Sequence, residues 1–171
     1  DLGIDRLSIG VQTFDTKLRN DMNIRTTVED IYQAVNLFQK VGFDKYCFDL
    51  MYNMPNQSEE RLILDLQLAT KLNPYHIDLY DLELSPDTYL YNLIYKENKF
   101  EIRPSIQRKI DLYQVATKWL ISNGYKYLAS NIFSKRQKQL QISDYIYRMV
   151  ILLVLVLQRE DILMAILIKI L

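Results

Sequence analysis

The chain has 171 residues, and its 21 basic and 21 acidic side chains cancel, so there is room for one domain with a sizeable core but no global field to recruit nucleic acid or an anionic membrane. Its one cysteine, Cys47, excludes an internal disulfide and fits a reducing, cytoplasmic setting. The opening DLGIDRLSIG has neither the basic start nor the long apolar stretch of a signal peptide; it also lacks an initiator Met, so a chain cut at its N-terminus is expected.

RLSIGV (6–11) is a short apolar run, with Ile9 and Val11, that predicts a strand buried on both faces and closed by a polar Gln12. Asp15 is placed to cap a short helix over about 16–22. TTVEDIYQAVNLFQKVG then offers Thr26 as N-cap with Glu29 three residues on, the spacing of a capping box. Ile31, Val35, Phe38 and Val41 recur at helical spacing before Gly42, which suits the position just past the helix. KYCFDLMYNMP predicts a second strand stopped by Pro55, and SEERLILDLQLATKLNP a helix capped by Ser58 and stopped at Asn73–Pro74. HIDLYDLELSP is a third strand, over 77–83, ended by Pro86. Strand–helix alternation at this spacing implies right-handed βαβ units and a parallel α/β sheet, either a TIM-like barrel or a doubly wound one. A short helix over 87–96, a charged connection, a long helix over about 105–122, Gly124 and a strand-like YKYLASNIFS extend the pattern to about Arg136.

Each of the first two strands carries one polar group that an apolar core would not select, Gln12 and Asp49, and the third carries Asp78, Asp81 and Glu83. Ligands of parallel α/β sheets lie beyond the carboxyl ends of the strands. By spacing alone these residues fit either a ligand site or a solvated rim.

GIDRLSIGVQTFD, GFDKYCFDLMYNMPNQS and LNPYHIDLYDLELSPDT, in that order, resemble the middle of the radical S-adenosylmethionine enzymes of the oxygen-independent coproporphyrinogen III oxidase group, which includes haem chaperones and anaerobic haem-degrading methylases. The resemblance covers about residues 1–136. It implies the C-terminal half of a partial TIM-type (β/α)6 barrel: strands four to six with their helices over 1–86, and the start of a C-terminal region over 87–136. It implies S-adenosylmethionine and a 4Fe–4S cluster as cofactors and a tetrapyrrole, porphyrinogen or haem, as substrate. Gln12 matches the family glutamine that contacts S-adenosylmethionine, and Asp49 in DLMYNMP matches a cofactor-binding aspartate. Arg25 matches the family arginine after a one-residue shift, since a gapless alignment places Ile24 there. Glu83 aligns near a position that touches the cofactor mainly through backbone. An amide and a carboxylate suit ribose hydroxyls and an amino group, and a guanidinium suits the methionyl carboxylate. Asn53 and Asn56 replace family glycines; Asn tolerates positive φ, so the turn is expected to survive.

The family holds its cluster with CxxxCxxC. Cys47 stands alone within an apolar strand, so no metal ligand and no catalytic residue is assigned, and the chain is expected to be an inactive fragment whose cluster segment lies ahead of it. An uncovered parallel strand edge and poor solubility would follow. His76, the only histidine, is expected in a solvated loop rather than as a haem ligand.

From about residue 140 the pattern changes: MVILLVLVLQREDILMAILIKIL has no Gly, Pro or turn signal. Gln158, Arg159, Glu160 and Asp161 divide it into apolar runs of 9 and 7 residues. Each is too short to cross about 30 Å of hydrocarbon, so no membrane span is expected. A shifted reading frame is expected for 137–171, because an A/T-rich codon choice for Arg148–Leu171, read two bases on, encodes a glycine-punctuated text like the family's continuation.

Overall fold

The computed structural model describes residues 6–129, 131–135, 152–156 and 164–168. The elements run β1 (Leu7–Gln12), α1 (Thr16–Asp21), α2 (Val28–Lys40), β2 (Tyr46–Tyr52), α3 (Glu59–Lys71), β3 (His76–Asp81), α4 (Tyr89–Tyr95), α5 (Ile106–Ser122), β4 (Lys126–Ala129), β5 (Ile132–Ser134), β6 (Leu152–Val156) and β7 (Met164–Ile168). They form a mixed sheet of order β4-β5-β3-β2-β1-β6-β7. β1, β2 and β3 are parallel neighbours joined through α2 and α3, the two βαβ units anticipated from sequence. α2, α3 and α5 all pack on one face of the central strands, as in a barrel and unlike a doubly wound sheet, which has helices on both faces.

The two faces of the central strands differ. Ile9, Val11, Phe48, Leu50, Ile77 and Leu79 face one core with Ile31, Val35 and Phe38 of α2, Leu62, Leu66 and Ala69 of α3, and Leu112, Ala116 and Leu120 of α5. Phe48, Leu62, Leu66 and Leu120 have no exposed surface, and truncating any of them to Ala would cost about 2–5 kcal/mol. Ser8, Gly10 and Gln12 alternate onto the opposite face, as do Cys47, Asp49 and Met51 and then His76, Asp78 and Tyr80. β1 is therefore apolar on its helix side and small or polar on the other, not apolar on both. A second, smaller cluster of Leu93, Ile94 and Phe100 seats α4.

Asp15, Ser58 and Ser105 cap α1, α3 and α5 through their side chains. The capping box of α2 is one residue later than its spacing suggested: Thr27 caps and Asp30 answers it. Both threonine–acid pairs satisfy the i, i+3 rule, and the difference arises because the Thr26 carbonyl and hydroxyl already accept from Arg19. YKYLASNIFS is a hairpin, not one strand: the chain reverses between Ala129 and Ile132, and β5 pairs antiparallel with β3. β3 starts and stops earlier than expected. His76 is its first residue and is buried, because Tyr75 N donates to Tyr46 O at 2.7 Å and opens the ladder with Cys47 opposite His76. Glu83 lies past the strand.

The β1 edge expected to stand open is occupied. β6 lies parallel along it, with Leu7, Ser8 and Ile9 opposite Leu153, Val154 and Leu155, and β7 returns antiparallel on β6. The two apolar runs of the tail thus supply two strands, while the rest of 137–171, including the charged break at 158–161, lies outside the described residues. Among the described residues no helix is long and apolar enough to cross a membrane.

Candidate functional site

The parallel register stacks the inner-face residues in rows. Ser8, Cys47 and His76 form the row nearest the strand starts. Gly10, Asp49 and Asp78 form the next. At the carboxyl end a bulge sets Gln12 against Leu50. Gln12 also takes φ 63°, a left-handed conformation that non-glycine residues seldom adopt. Its side chain turns back over Gly10: a Cβ built on Gly10 would stand 2.9 Å from Gln12 Nε2. The missing Cβ is what lets the amide lie over the row that contains Asp49. Gln12 and Asp49 therefore share one face and meet at one level.

A buried network holds that conformation. Arg19, 2 % exposed, donates through Nη1 to the carbonyls of Val11 and Thr13, each at 2.7 Å, one on either side of Gln12. Nε of the same guanidinium donates to Thr26 O at 2.9 Å, and Nη2 reaches Thr26 O and Oγ1. Asp65 of α3 accepts from Thr13 Oγ1 and from Phe14 N, both at 2.7 Å. Burial pushes its carboxyl up to about 6 against those two hydrogen bonds, which pull it down. A left-handed glutamine persists only where its surroundings over-determine it, as the hydrogen bonds of Arg19 and Asp65 do here.

Asp49 accepts from Ser8 Oγ at 2.7 Å. Burial raises its carboxyl to about 6, the Ser8 hydrogen bond and His76 lower it, and the neighbouring charge of Asp78 raises it further. The Cys47 thiol donates to Leu7 O at 3.0 Å, and burial, with Asp78 and Asp49 adding to it, pushes the thiol up to about 12. Such a thiol is a small buried packing group, not a ready thiolate. No group of three His, Cys, Asp or Glu side chains suited to a metal ion occurs among the described residues.

Arg25 lies exposed on the α1–α2 connection and Glu83 lies exposed beyond β3, so neither stands in the rows that bring Gln12 and Asp49 together. Asn53 and Asn56 take φ 62° and 56°, the turn that glycines would otherwise make. They also tie it down. Asn53 Nδ2 donates to Asp81 at 3.1 Å, and Asn56 exchanges hydrogen bonds with Ile102 at 2.9 and 3.0 Å. Sequence reasoning missed Ser8, Arg19 and Asp65, and it left Asp78 without a role. Period-two alternation through LSIGVQ, YCFDLMY and HIDLYD would have placed Ser8 and Asp78 beside Asp49. No local signal marks Arg19, since an arginine on a six-residue helix is ordinarily solvated.

Residues 1–69 match the family model of the radical SAM superfamily. The chain is 34% identical over 143 residues to the haem chaperone HemW of Buchnera aphidicola subsp. Schizaphis graminum, an alignment covering 81% of this chain and 35% of that protein. It is 26% identical over 142 residues to the oxygen-independent coproporphyrinogen III oxidase of Escherichia coli, covering 83% of this chain and 30% of the relative. In structure it is similar to the E. coli radical SAM enzyme HemN, with TM-score 0.67 and 25% identity over 84% of this chain and 32% of that one. A further similarity, to the archaeal Elp3 of Methanocaldococcus infernus (TM-score 0.57, 24% identity, 67% of this chain and 27% of that one), bears on the fold alone. The chain spans about a third of the length of the curated relatives it matches.

Proposed function

We propose, on the premise that this chain carries a stretch of the radical SAM fold related to haem chaperones and oxygen-independent coproporphyrinogen III oxidases, that it supplies the S-adenosylmethionine-holding strands of a cytoplasmic radical protein directed at a porphyrin or haem. The observation that carries this is the Gln12–Asp49 pair: an amide in a strained, gripped conformation folded over Gly10, on the same face as a half-buried carboxylate. An amide that donates and accepts, beside a carboxylate that accepts, fits ribose hydroxyls and an amino group. Arg25 takes the methionyl carboxylate from the α1–α2 connection, and Glu83 lines the outer rim through its backbone. S-adenosylmethionine held against a reduced iron–sulfur cluster supplies the radical chemistry in such proteins.

The donor set here does not fit that cluster. Cys47 is the one cysteine of the sequence, its thiol is buried against a carbonyl, and its pKa is far above neutrality. No step through iron is assigned to these residues, and we take the chain by itself to be inactive in cleaving S-adenosylmethionine. Calorimetric titration tests the reading. The chain is expected to bind S-adenosylmethionine, with Q12A and D49N each weakening it tenfold or more, and to gain no iron–sulfur absorption on anaerobic reconstitution. Absence of binding by the unmodified chain, or Q12A binding as tightly as wild type, overturns it.

A second reading, tetrapyrrole binding without radical chemistry, is favoured by the higher identity to the haem chaperone, 34% against 26% for the oxidase. A haem titration checks it. Since His76 is buried at the foot of the sheet, H76A is expected to leave any haem spectrum unchanged.

A further inference from the structure

The inner face carries ionisable groups that cofactor binding does not use. Asp78 lies directly opposite Asp49 in the β2–β3 ladder, and strands in such a ladder run about 4.8 Å apart. Both side chains point to the same face. Asp49 has its Ser8 hydrogen bond, but Asp78 Oδ1 is buried with no hydrogen-bond partner. The imidazole of His76 stands beneath it with Nε2 at 3.4 Å, and His76 Nδ1 is likewise buried without a partner. A poorly solvated carboxyl in the next strand makes a negative charge on Asp49 costlier.

Among the described residues the surroundings offer little relief. Tyr80 lies above Asp78 on the same strand, and the Cys47 thiol lies below Asp49. Arg6, just before β1, is the cation whose charge reaches the Cys47 thiol. β5 on one side and β6 on the other contain no ionisable residue, and the helices pack on the opposite face of the sheet.

We propose that Asp78, with His76 beneath it, is a positioning residue for Asp49: lying one strand away on the same face, it holds a proton on the Asp49 carboxyl, and that proton leaves to solvent when Asp49 accepts hydrogen bonds from a bound ligand. The raised affinity of Asp49 for protons agrees with this arrangement. The proposal rests on the reading of Asp49 as a cofactor contact, but its core, the hold of Asp78 on the Asp49 proton, does not need a cofactor to be seen.

The test is a carboxyl-carbon NMR titration of the whole chain, with the Asp49 signal assigned by its loss in D49N. In wild type Asp49 is expected to titrate above the ordinary aspartate range. D78N is expected to lower the Asp49 midpoint by half a unit or more, and H76Q to raise it. An Asp49 midpoint that stays in place in the folded variants, or moves the same way in both, overturns the proposal. Should D78N fail to fold, the smaller D78S and H76Q carry the same decision. Calorimetric titration with S-adenosylmethionine across pH separates the two claims. Binding that strengthens as pH rises, with its midpoint lowered in D78N, supports both. An Asp49 midpoint that answers to D78N without any binding leaves the hold on its proton standing and sinks the cofactor reading. Binding with an Asp49 midpoint indifferent to D78N does the reverse.

Discussion

Replacing Arg19 by Met should be the most damaging single change around the strained strand end. The guanidinium satisfies the carbonyls of Val11, Thr13 and Thr26 and the Thr26 hydroxyl, in a pocket that leaves Arg19 2 % exposed. Hydrogen bonds to charged groups are each worth about 1.5–3 kcal/mol net, and a buried acceptor left alone costs about 1–3 kcal/mol. Met fills the volume but satisfies none of the three carbonyls. Relief from desolvating the cation offsets part of this, since burial already lowers the Arg19 pKa against the opposing pull of Asp30 and Asp65. A net loss of about 4 kcal/mol follows, a large share of the 5–15 kcal/mol typical of whole domains. Arg19→Lys keeps the charge but has one nitrogen where the fork had three, so it should lose about 2–3 kcal/mol. Urea unfolding followed by the fluorescence of Trp119, the single tryptophan, measures both. If R19M unfolds within 0.5 kcal/mol of wild type at unchanged slope, a figure well below the cost of one orphaned acceptor, the network does not hold Gln12 in place.

Asp49 and Asp65 are both raised to about 6 in the folded chain, above an unfolded value of about 3.9, so the native state binds protons more tightly. Their contribution to stability is therefore present below about pH 4 and lost as pH rises to about 6, by up to about 3 kcal/mol for each. Urea midpoints at intervals from pH 4 to 7 should show that fall, and D49N or D65N should remove its share; a variant retaining the full slope refutes the assignment. Gly10→Ala places a Cβ 2.9 Å from Gln12 Nε2, the free end of a flexible side chain. Thermal melting should change by less than about 1 kcal/mol while S-adenosylmethionine binding weakens, because the amide must swing off its row; unchanged affinity counts against that placement. Gln12→Gly removes the cost of a left-handed side chain but adds freedom to the unfolded chain, so stability should hold or rise by up to about 1 kcal/mol while binding is lost, as paired melting and calorimetry would show.

The parallel core was legible because its signals are local and redundant. Asp15 and Ser58 each sit one residue before a helix they can cap, and the apolar residues of α2 recur at a period only a helix explains. The hairpin of β4 and β5 was not, because nothing in YKYLASNIFS marks where the chain reverses, and the turn is settled by pairing with β3. His76 was misplaced for a related reason. A histidine two residues after a proline reads as loop, but a ladder bond from Tyr75 to Tyr46 draws it into the sheet. The α2 cap shows the same limit on a smaller scale: two adjacent threonines are equivalent in sequence until a distant arginine takes one of them.

The candidate site divides along that line. That Gln12 and Asp49 matter was readable from strand-end polarity and family resemblance; how Gln12 is held was not. Among the described residues six non-glycine positions take positive φ: five are asparagines, the residue that tolerates it best, and the sixth is Gln12. A glutamine in that company lacks the short side chain that makes the conformation easy, and its amide projects over Gly10 instead of hydrogen-bonding its own turn. The network that compensates comes from α1 and α3, from residues 7 and 53 positions away in sequence, so no local reading could assemble it. Stability around this strand end and the geometry of the amide are thus one quantity: whatever loosens Arg19 or Asp65 releases Gln12 first.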